Sequence, residues 1–344
     1  MSGELAFRFG PFRTRVLFTD RPDLAPAPGA SGALTVFDAN TFNLLGRGAA
    51  NPTVIQVGEE HKSWSSAEAI FGRALSLGLG RDGMILGVGG GVICDLAAFC
   101  ASAYMRGCRL ALVPTTLLAM VDAALGGKTA LNLQGYKNTV GTFYPAEEVR
   151  VSVKVLGSLP EKEYRSGLAE AIKTAMIGDA ALFELLGSRG AAVLARDEEL
   201  LEQIVRRCLA VKGGVVEEDS RETGKREVLN LGHTFAHALE TVGGLKGWNH
   251  GEAVAWGLAR AMDLGLSLGI TKAEYARAVK QLLACYGFTL RAAEPGGGAE
   301  LLEAMRADKK KREGKLRFVL QRGLCDTLVQ TVAPAAVRDI MNQD

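Results

Sequence analysis

Three of the four histidines in this 344-residue chain lie within residues 233–250. His233 and His237 are four positions apart, so on a helix both side chains lie on one face. His250 comes from the next segment, and a third imidazole from there can complete a site for a divalent metal. The alternative is a solvated or hydrogen-bonded histidine pair. The spacing therefore indicates a metal site without excluding this simpler role.

A second candidate group lies upstream, where Glu170 and Lys173 stand three residues apart in the segment 166–173. This spacing places both side chains on the same face of a helix. On an exposed helix such a pair is a solvated ion pair that contributes about 0.2–0.5 kcal/mol. The neighbours are small and apolar, which favours a partly buried carboxylate that needs a cation. Two imidazoles and one carboxylate suit a Zn²⁺-type ion with an open position for a substrate.

The segment 89–95, Gly-Gly-Gly-Val-Ile-Cys-Asp, follows an apolar run and precedes a stretch of small residues. A glycine turn between a strand and a helix lets backbone N–H groups meet a pyrophosphate. The segment is not G-x-G-x-x-G, and a glycine turn without a ligand is the alternative. Residues 126–129, Gly-Gly-Lys-Thr, lack the first glycine of a P-loop at the required spacing, which argues against an ATPase.

Composition limits the classes of function. The chain has 40 Lys and Arg against 38 Asp and Glu, a balance that argues against a nucleic-acid or membrane-surface partner. Its six cysteines include no C-x-x-C pair, as is typical of reduced thiols. Residues 1–4 show no signal-peptide pattern, and no apolar run reaches the roughly 18 residues of a membrane span. We therefore expect a cytoplasmic protein.

The length favours two domains. Up to about residue 155, short β-rich runs alternate with helix-compatible stretches, which predicts a parallel, Rossmann-like α/β sheet with ligands at the carboxyl ends of its strands. From Pro160 onward helical periodicities dominate. They cover residues 200–216, 252–268 and 272–286. We expect an α/β nucleotide-binding domain at 1–155 and a mostly α-helical metal- and substrate-binding domain at 156–344.

The order and spacing of these motifs resemble one family over most of the chain, the 3-dehydroquinate synthases among the sugar phosphate cyclases. The resemblance is carried by residues 89–95, 104–107, 113–118, 121–129, 137–138, 166–173, 229–237, 250–254, 308–310 and 318–320. Together these blocks are far more specific than any one of them. The resemblance implies an NAD-binding α/β domain followed by a mostly helical metal domain, usually in a homodimer.

Carried over residue by residue, the resemblance places Zn²⁺ or Co²⁺ on Glu170, His233 and His250, and leaves His237 facing the substrate or supporting a ligand. The contacts that it implies for NAD are Asp38, Asn40, Glu59, Lys62, Gly91, Val92, Asp95, Thr115, Thr116, Asp122, Lys128 and Lys137. The contacts that it implies for the substrate are Arg106, Lys128, Asn138, Lys173, Lys212, Arg226, Asn230, His237 and Lys310, with Lys309 as the alternative to Lys310.

The activity implied by the resemblance is conversion of 3-deoxy-D-arabino-heptulosonate 7-phosphate to 3-dehydroquinate and phosphate, a lyase step of the shikimate pathway of aromatic amino-acid biosynthesis. NAD is regenerated in each turnover, and the metal acts as a Lewis acid. The substrate's phosphate and carboxylate suit the lysines and arginines of the implied set. Because the substrate's own phosphate can accept the proton, we assign no dedicated protein base.

Two alternative activities remain. One is another sugar phosphate cyclase, of the valiolone or scyllo-inosose type, whose substrate has no equivalent carboxylate. The other is a metal-dependent polyol dehydrogenase, which would accumulate NADH. Four residues together favour the heptulosonate substrate: Lys212, Arg226, Asn230 and His237. A catalytically inactive binding protein is disfavoured because the metal-ligand and anion-contact sets are complete.

Overall fold

The computed structural model describes residues 3–243, 248–290, 297–309 and 316–341. The chain divides into two compact units, Met1–Pro160 with Lys212–Arg221, and Glu161–Val211 with Glu222–Asp344. We call them the sheet unit and the helical unit. The expected domain boundary between residues 155 and 156 stays a prediction, and no sequence pattern assigned residues 212–221 to the sheet unit.

The described part of the sheet unit contains nine strands. They are β1 (Leu5–Phe9), β2 (Phe12–Phe18), β3 (Ala33–Asp38), β4 (Pro52–Ile55), β5 (Met84–Gly89), β6 (Arg109–Pro114), β7 (Leu131–Leu133), β8 (Tyr136–Val140) and β9 (Glu148–Val151). Seven of them form one sheet in the order β1-β2-β9-β6-β5-β3-β4, and β7 and β8 form a separate hairpin. Only β1 and β2 are antiparallel neighbours in the large sheet; the other neighbours are parallel. The predicted parallel α/β fold is confirmed.

Three helices follow strands of this sheet. They are α1 (Ala39–Leu45), α2 (Trp64–Ser76) and α3 (Gly91–Ala103). All six residues of β5 are buried, as expected for a parallel strand covered on both faces. Two glycines of β5 permit a close approach of α3, because a Cβ on Gly87 would lie 2.7 Å from Ala97 Cβ, and one on Gly89 would lie 2.7 Å from Ile93 Cβ. These two glycines therefore allow α3 to pack closely against β5.

The helical unit is mostly α-helical, as predicted. Its helices are α4 (Glu161–Gly178), α5 (Ala180–Ser188), α6 (Gly190–Leu194), α7 (Glu198–Glu218), α8 (His233–Val242), α9 (His250–Ser267), α10 (Ala273–Cys285), α11 (Gly297–Lys309) and α12 (Pro334–Met341). The last residues of α7 belong to the sheet unit. Before α12, the strands β10 (Arg317–Gly323) and β11 (Asp326–Thr331) form an antiparallel hairpin. The three predicted periodicities correspond to α7, α9 and α10. Within the described ranges, no helix combines the length and apolar character that a membrane span requires.

Close backbone contacts bring α4, α8 and α9 together. The backbone N–H of Gly251, at the start of α9, donates to Ser166 Oγ on α4 at 3.0 Å. A Cβ on Gly251 would lie 2.2 Å from Ser166 Cα, and one on Gly257 would lie 2.3 Å from the carbonyl oxygen of Gly232, the residue before α8. Only glycine fits at these two positions without a backbone shift. The contacts therefore determine where the first residues of α8 and α9 lie relative to α4.

Replacing Gly251 with Ala should destabilise the helical unit, because the added methyl group overlaps the backbone of Ser166. Overpacking of this kind costs about 1–3 kcal/mol. The measurement is the apparent melting temperature followed by circular dichroism. Gly187→Ala is the matched control, because Gly187 is also helical and an added Cβ there meets nothing within 4 Å. Equal melting temperatures for the two variants would contradict the proposed close approach.

Candidate active site

The structure brings the three predicted metal ligands together within the helical unit. Glu170 Oε1 lies 3.2 Å from His250 Nε2 and 3.5 Å from His233 Nε2. One candidate ligand atom from each side chain lies within 4.8 Å of the other two. Glu170 is fully buried, and the two histidines are partly exposed. One carboxylate and two imidazoles thus converge on a common point.

Local structure places each of the three side chains. Glu170 lies in the middle of α4, among buried apolar neighbours. His233 is the first residue of α8 and follows Gly232, whose φ of +79° gives the chain a left-handed turn that favours glycine. His250 is the first residue of α9 and follows the N-cap Asn249. The Asn249 side chain accepts from the backbone of Glu252 at 2.7 Å, and Glu252 accepts from the backbone of Asn249 at 2.8 Å, which forms a capping box.

The tautomer of His233 provides a test of whether a metal fits. His233 Nδ1 lies 3.2 Å from the carbonyl oxygen of Leu231. Because a carbonyl only accepts, Nδ1 carries the proton and Nε2 has the lone pair. Burial, followed by the charge of Lys173, lowers the pKa of His233 to about 3, so the ring is neutral at physiological pH. Its Nε2 lone pair faces the Glu170 carboxylate. The Nε2 lone pair and the carboxylate repel each other unless a cation lies between them. The side chains of this cluster therefore fit a divalent metal.

The charge states of Glu170 and His250 are set by their neighbours. Burial opposes ionisation of Glu170, but Lys173, His250 and His233 outweigh it and hold the pKa of the carboxyl well below its usual value. Lys173 Nζ lies 2.5 Å from Glu170 Oε2. Burial would lower the pKa of His250, but contacts with Glu170 and Glu240 outweigh it and raise that pKa to about 10. Glu170 is therefore ionised at neutral pH, as a metal ligand must be.

Sequence reasoning missed Glu240. Its Oε1 lies 3.5 Å from His250 Nδ1, on the side of the ring away from Glu170. Glu240 is seven residues after His233 on α8, so the helical periodicity that links His233 to His237 also includes Glu240. His237, which was predicted to face the substrate or to support a ligand, is exposed, and its ring centroid lies 5.4 Å from that of His233.

Other predicted substrate contacts in the helical unit lie close together along the chain. Arg226 and Asn230 belong to a short 3-10 helix, Lys225–Asn230, that comes shortly before α8. Arg226 is only 2% exposed. Asn230 Nδ2 donates to Glu222 Oε1 at 2.8 Å, so Glu222 is a second residue that sequence reasoning missed. The predicted contact Lys310 lies outside the described residues.

In the sheet unit, a separate network joins several residues predicted to bind NAD. Lys62 is buried, and its Nζ donates to Asp95 Oδ2 and to Asn138 Oδ1, both at 2.5 Å. Asn132 donates to Glu59 Oε1 at 2.8 Å and accepts from the backbone of Asn138 at 2.9 Å. The network thus joins Asn138, which was predicted to contact the substrate, to three residues predicted to contact NAD, namely Glu59, Lys62 and Asp95. Asn132 was not predicted.

Further predicted NAD contacts follow the carboxyl ends of three adjacent parallel strands. Asp38 ends β3 and caps α1, where it accepts from the backbone of Thr41 at 2.8 Å. Two pairs of residues follow the neighbouring strands, namely Gly91 and Val92 after β5, and Thr115 and Thr116 after β6. Asn40 is exposed on α1. In parallel α/β sheets this edge is where ligands bind.

The remaining predicted residues of the sheet unit are mostly exposed. Asp122 lies in a π-helical turn, Ala119–Ala123, and accepts from Lys212 Nζ at 2.6 Å. Such turns are rare and occur frequently at functional sites. Three cationic residues expected at anionic groups of the ligands are exposed: Arg106, Lys128 and Lys137. Arg106 adopts a φ of +63°, in the left-handed region.

Comparison with known proteins identifies the family. The model for the 3-dehydroquinate synthase N-terminal region matches residues 52–166, and the model for the C-terminal region matches residues 167–311. The chain belongs to the 3-dehydroquinate synthase family. A 3-dehydroquinate synthase from Acidithiobacillus ferrooxidans is 42% identical over 286 residues, which cover 83% of this chain and 78% of the relative. One from Dictyoglomus thermophilum is 42% identical over 266 residues, covering 77% and 74%.

Solved structures of sugar phosphate cyclases share the fold. The 2-epi-5-epi-valiolone synthase from Streptomyces hygroscopicus subsp. jinggangensis 5008, solved with NAD⁺ and Zn²⁺ bound, has a TM-score of 0.87 and 26% identity over 94% of each chain. A 2-deoxy-scyllo-inosose synthase complexed with carbaglucose-6-phosphate, NAD⁺ and Co²⁺ has a TM-score of 0.87 and 24% identity over 99% of each chain.

Replacing His250 with Ala should abolish retention of metal, because the substitution removes one of three protein ligands. The measurement is zinc content per chain after loading and dialysis. His61→Ala is the matched control, since His61 lies in the sheet unit beside Glu60. We expect the control to retain as much zinc as the wild type. Normal zinc content in the His250 variant would refute the assignment of this ligand.

Proposed function

We propose that this member of the family acts as a 3-dehydroquinate synthase and converts 3-deoxy-D-arabino-heptulosonate 7-phosphate to 3-dehydroquinate and phosphate. The observation that carries the proposal is the cluster of Glu170, His233 and His250 beside the buried Lys173. This cluster places a metal-ligand set next to a cation that suits an anionic substrate. The relatives at 42% identity are 3-dehydroquinate synthases, which supports the same substrate here.

The proposed cofactors are NAD and one divalent metal, Zn²⁺ or Co²⁺. The cyclase structures above hold NAD⁺ with Zn²⁺ in one case and with Co²⁺ in the other. In this chain, Glu170, His233 and His250 would hold the metal, and the residues after β3, β5 and β6 would hold NAD. When bound, NAD would accept and return a hydride, and the metal would act as a Lewis acid on substrate oxygens.

The side chains of the helical unit would bind and orient the substrate. Lys173 is 2% exposed and Arg226 is 2% exposed, so both cations are largely removed from water. Charge-assisted hydrogen bonds from such groups to a phosphate or carboxylate are strong, because solvent screens them little. Lys173 already contacts Glu170, so an anionic group held by Lys173 would lie beside the metal ligands. The substrate is thereby held in one orientation, which is much of what this chemistry requires.

The other predicted contacts complete the proposal. Asn230 and His237 would contact the substrate in the helical unit, together with Lys310. In the sheet unit, the residues proposed for the substrate are Arg106, Lys128, Asn138 and Lys212. The ion pair with Asp122 would hold Lys212 in a defined orientation. A homodimer and a cytoplasmic location are part of the same proposal.

Two other activities fit the same fold. A cyclase of the valiolone or scyllo-inosose type is disfavoured because those structures are 26% and 24% identical to this chain, against 42% for the 3-dehydroquinate synthases. A polyol dehydrogenase is represented by the likeness to a probable glycerol dehydrogenase from Sinorhizobium meliloti 1021, with a TM-score of 0.66 and 19% identity. That likeness concerns the fold alone.

The proposed activity predicts phosphate release that recycles its cofactor. Metal-loaded protein is incubated with 3-deoxy-D-arabino-heptulosonate 7-phosphate and a trace of NAD, and inorganic phosphate and NADH absorbance are followed together. We expect phosphate far in excess of the NAD present, with no lasting NADH. A sugar phosphate without the carboxylate is the matched substrate control and should react poorly. Absence of phosphate release, with NADH accumulating on a simple polyol, would contradict the proposal.

Replacing Arg226 with Ala should lower kcat/KM by about 10–100-fold, the loss expected for one hydrogen bond to a charged group. NAD affinity, measured by fluorescence titration, should not change. Arg226→Lys keeps the charge but not the planar donor pair, so its kcat/KM should lie between those of the wild type and the Ala variant. Arg206→Ala is the control, since Arg206 pairs with Glu202 on α7. Unchanged kcat/KM in a folded Arg226→Ala protein would remove Arg226 from the site.

A further inference from the structure

Glu240 lies behind one of the proposed metal ligands. Its Oε1 is 3.5 Å from His250 Nδ1, while His250 Nε2 faces Glu170. The Glu240 side chain is 10% exposed, so this carboxylate is largely removed from water. His250 therefore lies between the buried carboxylate of Glu170 and the largely buried carboxylate of Glu240, one on each side of its ring.

This arrangement determines which nitrogen of His250 can bind a metal. A neutral imidazole has one N–H and one lone pair. If Nδ1–H donates to Glu240, the lone pair is on Nε2 and points toward Glu170. His233 has the same orientation, with Nδ1 3.2 Å from the carbonyl oxygen of Leu231. Nδ1 of each histidine thus faces an oxygen acceptor. For His233 the acceptor is the neutral carbonyl of Leu231, and for His250 it is the carboxylate of Glu240.

The charges of the cluster indicate a second effect of Glu240. The negative charge of Glu170 is balanced by Lys173, whose ammonium lies 2.5 Å away. When a metal is bound, both imidazoles are neutral, and the charges of Glu170 and Lys173 sum to zero. Glu240 places a negative charge beside His250, which favours a dication at Nε2. At a mostly buried position this attraction is screened less than it would be in water.

We propose that Glu240 is a positioning residue of the metal site: it orients His250 so that Nε2 faces the metal, and its charge raises the affinity for a divalent cation. The inference rests on the metal set of the proposed function. Partners of this kind behind ligating histidines typically change metal affinity by about 10–100-fold.

The test is the Zn²⁺ affinity of Glu240→Gln, which keeps the shape and an acceptor oxygen but removes the charge. Metal-free protein competes with a chromophoric chelator for Zn²⁺, and the visible absorption of the Co²⁺-loaded protein reports ligand geometry. We expect a dissociation constant about 10–100-fold higher and an altered Co²⁺ spectrum. Thermal melting of the metal-free protein verifies folding. Glu202→Gln, which removes a carboxylate paired with Arg206, is the matched control and should bind like the wild type.

Glu240→Asp separates charge from a purely structural role. It retains the carboxylate on a shorter side chain, so it should recover part of the affinity that Gln loses, and no recovery would overturn the contribution of charge. If the wild type binds Zn²⁺ through His250 and Glu240→Gln binds it equally well, the proposed role of Glu240 is overturned. The assignment of Glu170, His233 and His250 as metal ligands would not be affected by that result. If the wild type binds no stoichiometric Zn²⁺, both are overturned.

Discussion

The burial of the Glu170 carboxylate is the constraint on which the helical unit depends. A carboxylate without access to water costs several kcal/mol unless cations or donors compensate it. Lys173 compensates one oxygen at 2.5 Å, and the other oxygen faces His250 and His233. His233 presents a lone pair there, whereas His250, with its raised pKa, donates to the same oxygen when no metal is bound. A divalent cation would take the place of that proton and contact all three side chains, which links the stability of this core to its chemistry.

Close backbone contacts between helices place the two histidines next to Glu170. Gly251 and Gly257 let α9 approach Ser166 on α4 and Gly232 before α8. The first residues of α8 and α9 are both histidines, so these contacts determine the distance between the two rings and Glu170. In the sheet unit, polar residues instead gather at the carboxyl ends of parallel strands, where helices begin and backbone N–H groups are available. Each unit thus contains its own kind of binding group.

The sequence was informative wherever a pattern is local. Helical spacing identified Glu170 with Lys173 and His233 with His237, and alternating apolar runs identified the parallel sheet. Contacts between distant segments could not be read in this way. Asn132 bridges Glu59 and Asn138, and Glu240 lies against His250, only because the chain has folded. The antiparallel pairing of β1 with β2 was also missed, because the alternation of strands and helices predicted a parallel sheet.

We propose that Glu170, His233 and His250 hold one metal ion. Anomalous diffraction at the zinc absorption edge, on crystals grown with Zn²⁺, can locate this ion. We expect a single strong anomalous peak in the helical unit, about 2.0–2.2 Å from a Glu170 oxygen and from Nε2 of both histidines. A peak elsewhere, or coordination of His250 through Nδ1, would contradict it.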